Sequence, residues 1–422
     1  MNKTKSIVVA GGGIIGLCVA YYAMRKGHRV TIVERGAPGH DSCALGSAGM
    51  IVPSHFVPLA APGMAAMGLR MMWNPESPFY IRPRVSAELL GWGWKFCRAA
   101  NASHVERSAP LLRDLHLASR RCFEDLAGSL AGDLGLVKKG LLMLCHTKHT
   151  FEEEARAAEH AMALGVPAEV LTPAQTSKLE PAIQMNIAGS VYFSLDCHLT
   201  PSRLLAGLTE ALEKGGAEFA WSTEVTGWRT NGQRIEAAET NCGDISGEEY
   251  VLSGGVWSGN AVRSLKLRLP MQAGKGYSIT LPNPRHRPQI CSILTEARVA
   301  LTPMDSGLRF GGTMEIAGLD QSISPRRVKG MINSVNKYFP EFCAEDFNGL
   351  PVWCGLRPCS PDGLPYLGRF GRFSNLSVAA GHAMLGLSLG PITGKLMAEI
   401  VTGEESVLEL LFKKIRQSVS LK

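Results

Sequence analysis

The sequence predicts a mixed α/β protein in which a Rossmann-like nucleotide-binding domain, assembled from separated segments, is interrupted by an antiparallel substrate domain. Three observations carry this. An apolar run at 6–10 feeds a glycine turn and a helical stretch, a second strand-like run at 29–34 ends on an acid, and residues 270–315 alternate apolar and polar. The chain has 422 residues, 45% hydrophobic and 19% charged, which excludes disordered, collagen-like and small disulfide-stapled classes. Its 44 basic and 37 acidic residues give +7, spread along the chain. That is too weak a signal for nucleic acid, and it allows an anionic substrate or a membrane surface. The cysteines are odd in number, 11, and contain no C-x-x-C, so a reduced cytoplasmic protein without a metal site is expected.

The first element decides the domain. The run SIVVA at 6–10 reads as a short parallel strand, GGGIIG at 11–16 satisfies G-x-G-x-x-G, and 17–26 reads as a helix. Gly11 permits the tight turn, Gly13 admits a pyrophosphate to the backbone, and Gly16 lets helix and strand pack closely. The phosphates would rest on the helix amino terminus beside Ile14 and Ile15. Glu34 lies 18 residues past Gly16, where a carboxylate accepts ribose hydroxyls and repels a 2′-phosphate. Residues 6–24 also imitate a signal peptide or anchor, but four glycines interrupt them and a strand follows directly. The motif does not separate NAD from FAD.

Residues 36–84 are rich in Gly, Pro, Ala and Met and read as loops that wrap a ligand. Helices are expected at 85–100, 110–130 and 151–164, the last with acids 152–154 at its amino end. Thr200-Pro201 should cap a helix closing at 214–216, with strands at 218–225 and 250–253 beyond it. Residues 325–338 and 391–401 read as further helices, before a basic tail ending at 413–416.

At this point several blocks resemble one family, the FAD-dependent amine and amino-acid oxidoreductases of the D-amino-acid oxidase/glycine oxidase type, and most closely its D-amino-acid dehydrogenases. The glycine turn through Glu34-Arg35 is the first. SCALGSAGMI at 42–51 is similar to the segment that passes the flavin, with Ser47 where relatives often have Asn. VLSGGVWS at 251–258 resembles the family's strand and "G-A-W-S" turn, with Val256 for Ala. KGY at 275–277, WCGLRPCSPDGLPYLG at 353–368 and the stretch from Asn375 to Leu387 complete the set.

The resemblance implies non-covalent FAD, since Cys354 and Cys359 do not sit at the register of relatives with a cysteine-linked flavin. It assigns residues 1–57, 197–265 and 350–422 to the FAD-binding domain, and 58–196 and 266–349 to the substrate domain. Cofactor contacts are implied for Gly11, Gly13, Ile14, Ile15, Gly16, Glu34, Arg35, Ser42, Ser47, Ala48, Gly49 and Met50. Val225, Gly255 and Trp257 join them, as do Gly381, Met384, Leu385, Gly386 and Leu387. Arg357 matches the arginine that grips the substrate carboxylate, which a guanidinium does in a fork; the competing reading pairs it with Asp362 or a backbone carbonyl. Tyr277 would hydrogen-bond the substrate or close the pocket, or else pack at a strand edge. His382 lies beside the flavin, in chemistry or in packing, and His55 and His198 are weaker candidates. Asp196-Cys-His198 could invite a metal or acid/base reading, and the resemblance implies instead a loop entering a helix. Met384 occupies the site of a second arginine in glycine oxidases, so no two-arginine clamp is expected.

The implied reaction oxidises a D-amino or imino acid, alanine-like or proline-like, by hydride transfer to flavin N5, and water then hydrolyses the imine to a 2-oxo acid. Positioning suffices for that step, and no protein base is obligatory. The electron acceptor is a quinone, a carrier or oxygen. A peripheral contact with the inner membrane face would suit the basic tail and the apolar 56–72 segment, which otherwise read as a solvated tail and a buried loop. Alternatives are an oxygen-using glycine/sarcosine-type oxidase, a flavin-binding subunit of a larger complex, and a nicotinamide dehydrogenase.

Overall fold

The computed structural model describes residues 4–404 apart from Pro75 and Ser306; the basic tail at 413–416 lies outside the described residues. The β-branched run Ser6–Ala10 forms the strand that anchors a six-stranded sheet. It is flanked in parallel by Arg29–Val33 and Glu249–Leu252. Glu218–Ala220 extends one edge, and Leu376–Ala380 with antiparallel Tyr366–Arg369 completes the other. The helix Ile14–Arg25 packs against Gly386–Thr402, and a Cβ at Gly394 would lie 2.4 Å from the Cys18 backbone, so glycine sets that close approach. Leu389, Ile392, Leu396, Met397 and Val401 are buried along this carboxy-terminal helix, each side chain contributing about 1.5–3 kcal/mol. By length and composition Ala383–Thr402 is apolar enough to cross a membrane, yet 72% of it is buried in this core.

A second sheet of nine strands is mainly antiparallel, as the alternation at 270–315 predicts. Its central strands are Gln272–Pro282 and Gly307–Ile316, paired in register from Ile279 with Phe310 to Pro282 with Gly307. Ile279, Leu281, Leu308 and Phe310 face the helix Pro325–Tyr338. Successive residues face opposite ways, so Ser278, Thr280 and Arg309 point towards the nucleotide sheet.

Several expected boundaries shift. Val352–Cys359 hydrogen-bonds to Gln272–Pro282 along its whole length and extends the larger sheet, so the chain leaves that sheet after 359 and not at 350. The helix Ala102–Ser129 packs on Gly386–Thr402, giving both parts of the chain one shared core. This helix starts well before 110, capped by Asn101, and tolerates Pro110. The next helix begins at Lys148, capped by Thr147, so acids 152–154 fall outside its first turn. Thr200 makes no side-chain cap; its hydroxyl donates to Asp305. The strand expected at 218–225 ends at Ala220, because Ser222 turns left-handed and residues 222 and 223 donate backbone N–H groups to Gly36 and Glu34. The last helix starts at Gly386, with Pro391 inside it.

Candidate active site

The glycine turn has a distinct steric reason at each position. Gly11 has φ +116°, and a Cβ there would lie 2.7 Å from the Ser253 carbonyl oxygen. At Gly16 a Cβ would lie 1.8 Å from the Gly11 oxygen, so helix and turn are in backbone contact. Around Gly13 nothing lies within 4 Å of the Cβ position; it faces open space at the helix amino terminus. Glu34, at the end of the second strand, accepts the Gly12 N–H at Oε2 (2.7 Å) and the Gly36 N–H at Oε1 (2.8 Å). The acid therefore also braces the turn, and each oxygen keeps a further lone pair. Arg35 stacks its guanidinium 3.6 Å from the Trp257 ring centroid.

The segment 42–51 is clamped from the larger sheet. Arg309 donates through Nη1 to the carbonyls of Leu45 (2.8 Å) and Ser47 (2.9 Å), and Ser278 Oγ donates to the Gly46 carbonyl (2.8 Å). Burial lowers the pKa of Arg309. Gly46 nests against Trp353, where a Cβ would stand 1.9 Å from the ring. Ser47 Oγ accepts the Gly49 N–H at 3.4 Å, so the residue replacing Asn is turned onto its own loop. Ser42 Oγ is buried with no hydrogen-bond partner among the described residues.

These elements enclose one cavity of about 1280 Å³ between the two sheets. Eighteen of the expected cofactor contacts line it, from Gly11 through Val225 and Trp257 to Leu387. Gly16 and Gly381 do not. Gly16 serves helix packing, and Gly381, at φ +81°, lets the chain turn beside the Tyr366 ring. Arg357 and an apolar wall that includes Leu59, Met64, Phe79, Trp92 and Phe96 form the part of the cavity away from the glycine turn.

Arg357 pairs across the sheet with Gly274, and its guanidinium lies over Gly276, whose absent Cβ makes the room. Nη1 donates to the Thr313 carbonyl at 2.8 Å. Thr313 stands at φ +66°, where the register between Lys275 and Tyr277 shifts, and left-handed backbone at a β-branched residue is strained. Asp362 is engaged elsewhere, accepting the Leu364 N–H. Among the described residues no carboxylate pairs with Arg357, which leaves a fixed cation facing the cavity.

The other two expected catalytic residues are placed differently. Tyr277 pairs with Cys354, on the sheet face opposite Arg357. Its hydroxyl donates to Glu315 Oε1 (2.5 Å) and accepts the Ser324 N–H (3.1 Å), within a buried group that includes Lys275 and Arg327. That hydroxyl braces the 318–324 segment, while Tyr277 itself lines the cavity. His382 lines the cavity at 2% exposure, and its Nε2 is hydrogen-bonded to Thr393 Oγ1 at 3.0 Å, which anchors its ring to the terminal helix. His198 is buried in a two-residue strand paired with Met50, and does not line the cavity. His55 does line it. Among the described residues no group of three or more His, Cys, Asp or Glu is arranged to hold a metal.

Arg309, Gly276 and Thr313 had no role in the sequence reading. Gly276 was visible inside the KGY block, but only the register with Arg357 gives its function.

Residues 6–400 match the family described as FAD dependent oxidoreductase (DAO). The chain belongs to this family. FAD is accordingly its cofactor, and the cavity fits one: a glycine cradle, an open helix terminus, an acid at the second strand and the Ser42 hydroxyl, unpartnered among the described residues, all line it. The D-amino acid dehydrogenase of Paramagnetospirillum magneticum is 31% identical over 414 residues, covering 96% of each chain. That of Neisseria meningitidis is 30% identical, covering 95% of this chain and 96% of the relative. Among solved structures, a glycine oxidase from Geobacillus kaustophilus superposes with TM-score 0.77 at 24% identity over 96% of both chains. An L-proline dehydrogenase from P. horikoshii gives 0.71 at 18% over 99% of both. At these identities the structural likeness speaks for the fold alone.

Proposed function

We propose that this DAO-family enzyme is a dehydrogenase that oxidises a D-amino or imino acid, alanine-like or proline-like, to an imine that water hydrolyses to a 2-oxo acid. One observation carries the reading: the Arg357 guanidinium faces the cavity with a backbone carbonyl and, among the described residues, no acid as its partner. A substrate carboxylate supplies the missing counter-charge through paired N–H donors. Bound FAD supplies the two-electron acceptor. The chain's own residues position and desolvate: Arg357 fixes the carboxylate, Thr313 fixes Arg357, and the wall around Leu59, Met64, Phe79 and Trp92 excludes water from the reacting carbon. FAD is held without a covalent bond, since Cys354 and Cys359 do not sit at the register of relatives with a cysteine-linked flavin.

The D-amino acid dehydrogenase relatives favour electron transfer to a quinone or carrier over the glycine/sarcosine-type oxidase alternative. Exposed Leu69, Trp73, Leu90 and Trp94, interspersed with exposed Arg70, Lys95 and Arg98, suit a peripheral contact with an anionic membrane at its cytoplasmic face. The deciding experiment is anaerobic loss of flavin absorbance against a panel of D- and L-amino acids, sarcosine, glycine and hydroxyproline isomers. Bleaching by D-alanine or D-proline is the expected result; bleaching by glycine and sarcosine alone would select the oxidase alternative.

A further inference from the structure

Behind one wall of the cavity lies a polar chain that the substrate clamp does not use. Asp196 is 1% exposed, and among the described residues its carboxylate is held by Ser54: Oδ1 accepts the Ser54 N–H at 3.1 Å and Oδ2 accepts the Ser54 hydroxyl at 2.5 Å. Ser54 Oγ also lies 2.9 Å from Nδ1 of His55, and His55 lines the cavity. A serine has one hydroxyl proton. While Asp196 is ionised that proton points to Oδ2, so the contact with His55 is donated by Nδ1–H. The imidazole is thereby fixed as the tautomer whose Nε2 carries a lone pair. An acid that holds a serine, which holds a histidine on the cavity wall, has the connectivity of a base with its orienting groups.

We propose that His55, Ser54 and Asp196 form a relay that takes the proton of the substrate's ammonium group before oxidation, a role that rests on the function proposed above. An amino acid is an ammonium ion at neutral pH, and its nitrogen must give up a proton before it can become an imine. The ammonium N–H bond breaks and the proton bonds to Nε2 of His55. Nδ1 then passes its proton to Ser54 Oγ, and the serine's own proton passes to Asp196 Oδ2. The result is a free amine, the other imidazole tautomer and a neutral carboxyl; no electron is exchanged.

The surroundings match this traffic. Burial pushes the Asp196 carboxyl up to about 7 and the His55 imidazole down to about 4, so the imidazole rests neutral while the carboxyl can take a proton near pH 7. The titratable and charged groups facing Asp196 are Arg120 of the helix Ala102–Ser129, which favours the ionised acid, and the thiols of Cys197 and Cys291, both raised by burial. His55 is faced by His116 of the same helix, itself held neutral by burial and hydrogen-bonded through Nδ1 to Ser388 Oγ.

The test uses flavin-loaded protein mixed anaerobically with D-alanine or D-proline, with the rate of bleaching followed from about pH 6 to about pH 10. Ser54→Ala and Asp196→Asn should slow bleaching at about pH 7 by tenfold or more, on the order of what a positioned base contributes. Their rates should recover towards wild type near pH 10, where the amine arrives already deprotonated. Ser54→Thr should retain the wild-type profile, and His55→Gln should share the defect. Propionate, a carboxylate without an amine, should bind all variants equally by flavin difference spectroscopy, which shows that the pocket is intact. In infrared spectra, Asp196→Asn should remove a protonated-carboxyl band that titrates in wild type. Equal rates for wild type and variants at about pH 7, or a loss of the same size at every pH, overturns the relay while leaving the function standing. Absence of bleaching in wild type by every amino acid tested overturns the function, and the relay with it.

Discussion

Gly276→Ala tests the substrate clamp without touching the arginine itself. A methyl at this position would stand 2.2 Å from Nη1, 2.3 Å from Nη2 and 2.4 Å from Cζ of Arg357. Ordinary contact begins near 3.5 Å, so the guanidinium must retreat by about 1.2 Å. Its 2.8 Å hydrogen bond to the Thr313 carbonyl would then stretch towards about 4 Å and be lost. The backbone at 276 needs no left-handed conformation, and the displaced atoms are the end of a flexible side chain, so folding and flavin content should be preserved. The cost falls on the ligand. A guanidinium displaced this far also loses one charge-assisted hydrogen bond to the carboxylate, about 1.5–3 kcal/mol, which weakens binding by roughly 10- to 150-fold. Titrating propionate and D-proline into oxidised, flavin-loaded protein reads this as a rise in Kd, with KM rising more than kcat falls. Full flavin content with unchanged carboxylate affinity would show that Arg357 does not hold the carboxylate.

Gly16→Ala should abolish FAD retention, since the new methyl meets the Gly11 carbonyl oxygen at 1.8 Å and backbone cannot yield; the flavin-to-protein absorbance ratio checks it. Tyr277→Phe should lower stability by roughly 1–3 kcal/mol, by depriving buried Glu315 of a donor, while kcat/KM moves by less than about threefold. A hundredfold activity loss in a stable Tyr277→Phe protein would return that hydroxyl to the chemistry. His116 is fully buried and its pKa is lowered to about 3. The neutral ring contributes its stability above the ordinary value of about 6.5 and loses it as pH falls towards 3, by up to roughly 5 kcal/mol. Denaturant midpoints between about pH 7 and pH 4 should therefore fall more steeply for wild type than for His116→Gln, and parallel curves would contradict the assignment.

What the sequence made legible follows physical range. The glycine turn was readable because each of its constraints lies within about thirty residues: strand, turn, helix, second strand, acid. Even there the structure adds to it, since Glu34 braces Gly12 and Gly36 as well as facing the cavity. Arg357 was readable through the resemblance of its block. Its setting was not, because Thr313 and Gly276 reach it through cross-strand register, which depends on a one-residue bulge that no local pattern marks. Tyr277 shows the same limit. Its place beside Gly276 puts it near the site in sequence, yet the period of two turns its hydroxyl to the other side of the sheet. Arg309 was hidden for a related reason: an arginine in an alternating strand reads as a solvent-facing charge until the segment 42–51 is laid across it.

The strand order has a consequence for how the cofactor is acquired. Ser6–Ala10 lies between Arg29–Val33 and Glu249–Leu252, and Gly11 rests on Ser253. Lys5 Nζ donates to Glu249 at 3.0 Å and to the Val401 carbonyl at 2.7 Å, tying the start of the first strand to the end of the terminal helix. On the ribosome, then, the phosphate-binding turn emerges some 240 residues before its supporting neighbour, and the helix that covers it comes later still. Contacts this distant in sequence form slowly. Flavin capture thus waits for synthesis of the helix Gly386–Thr402, and chains made faster than FAD is supplied would carry the open cavity as their weak point towards proteases and aggregation.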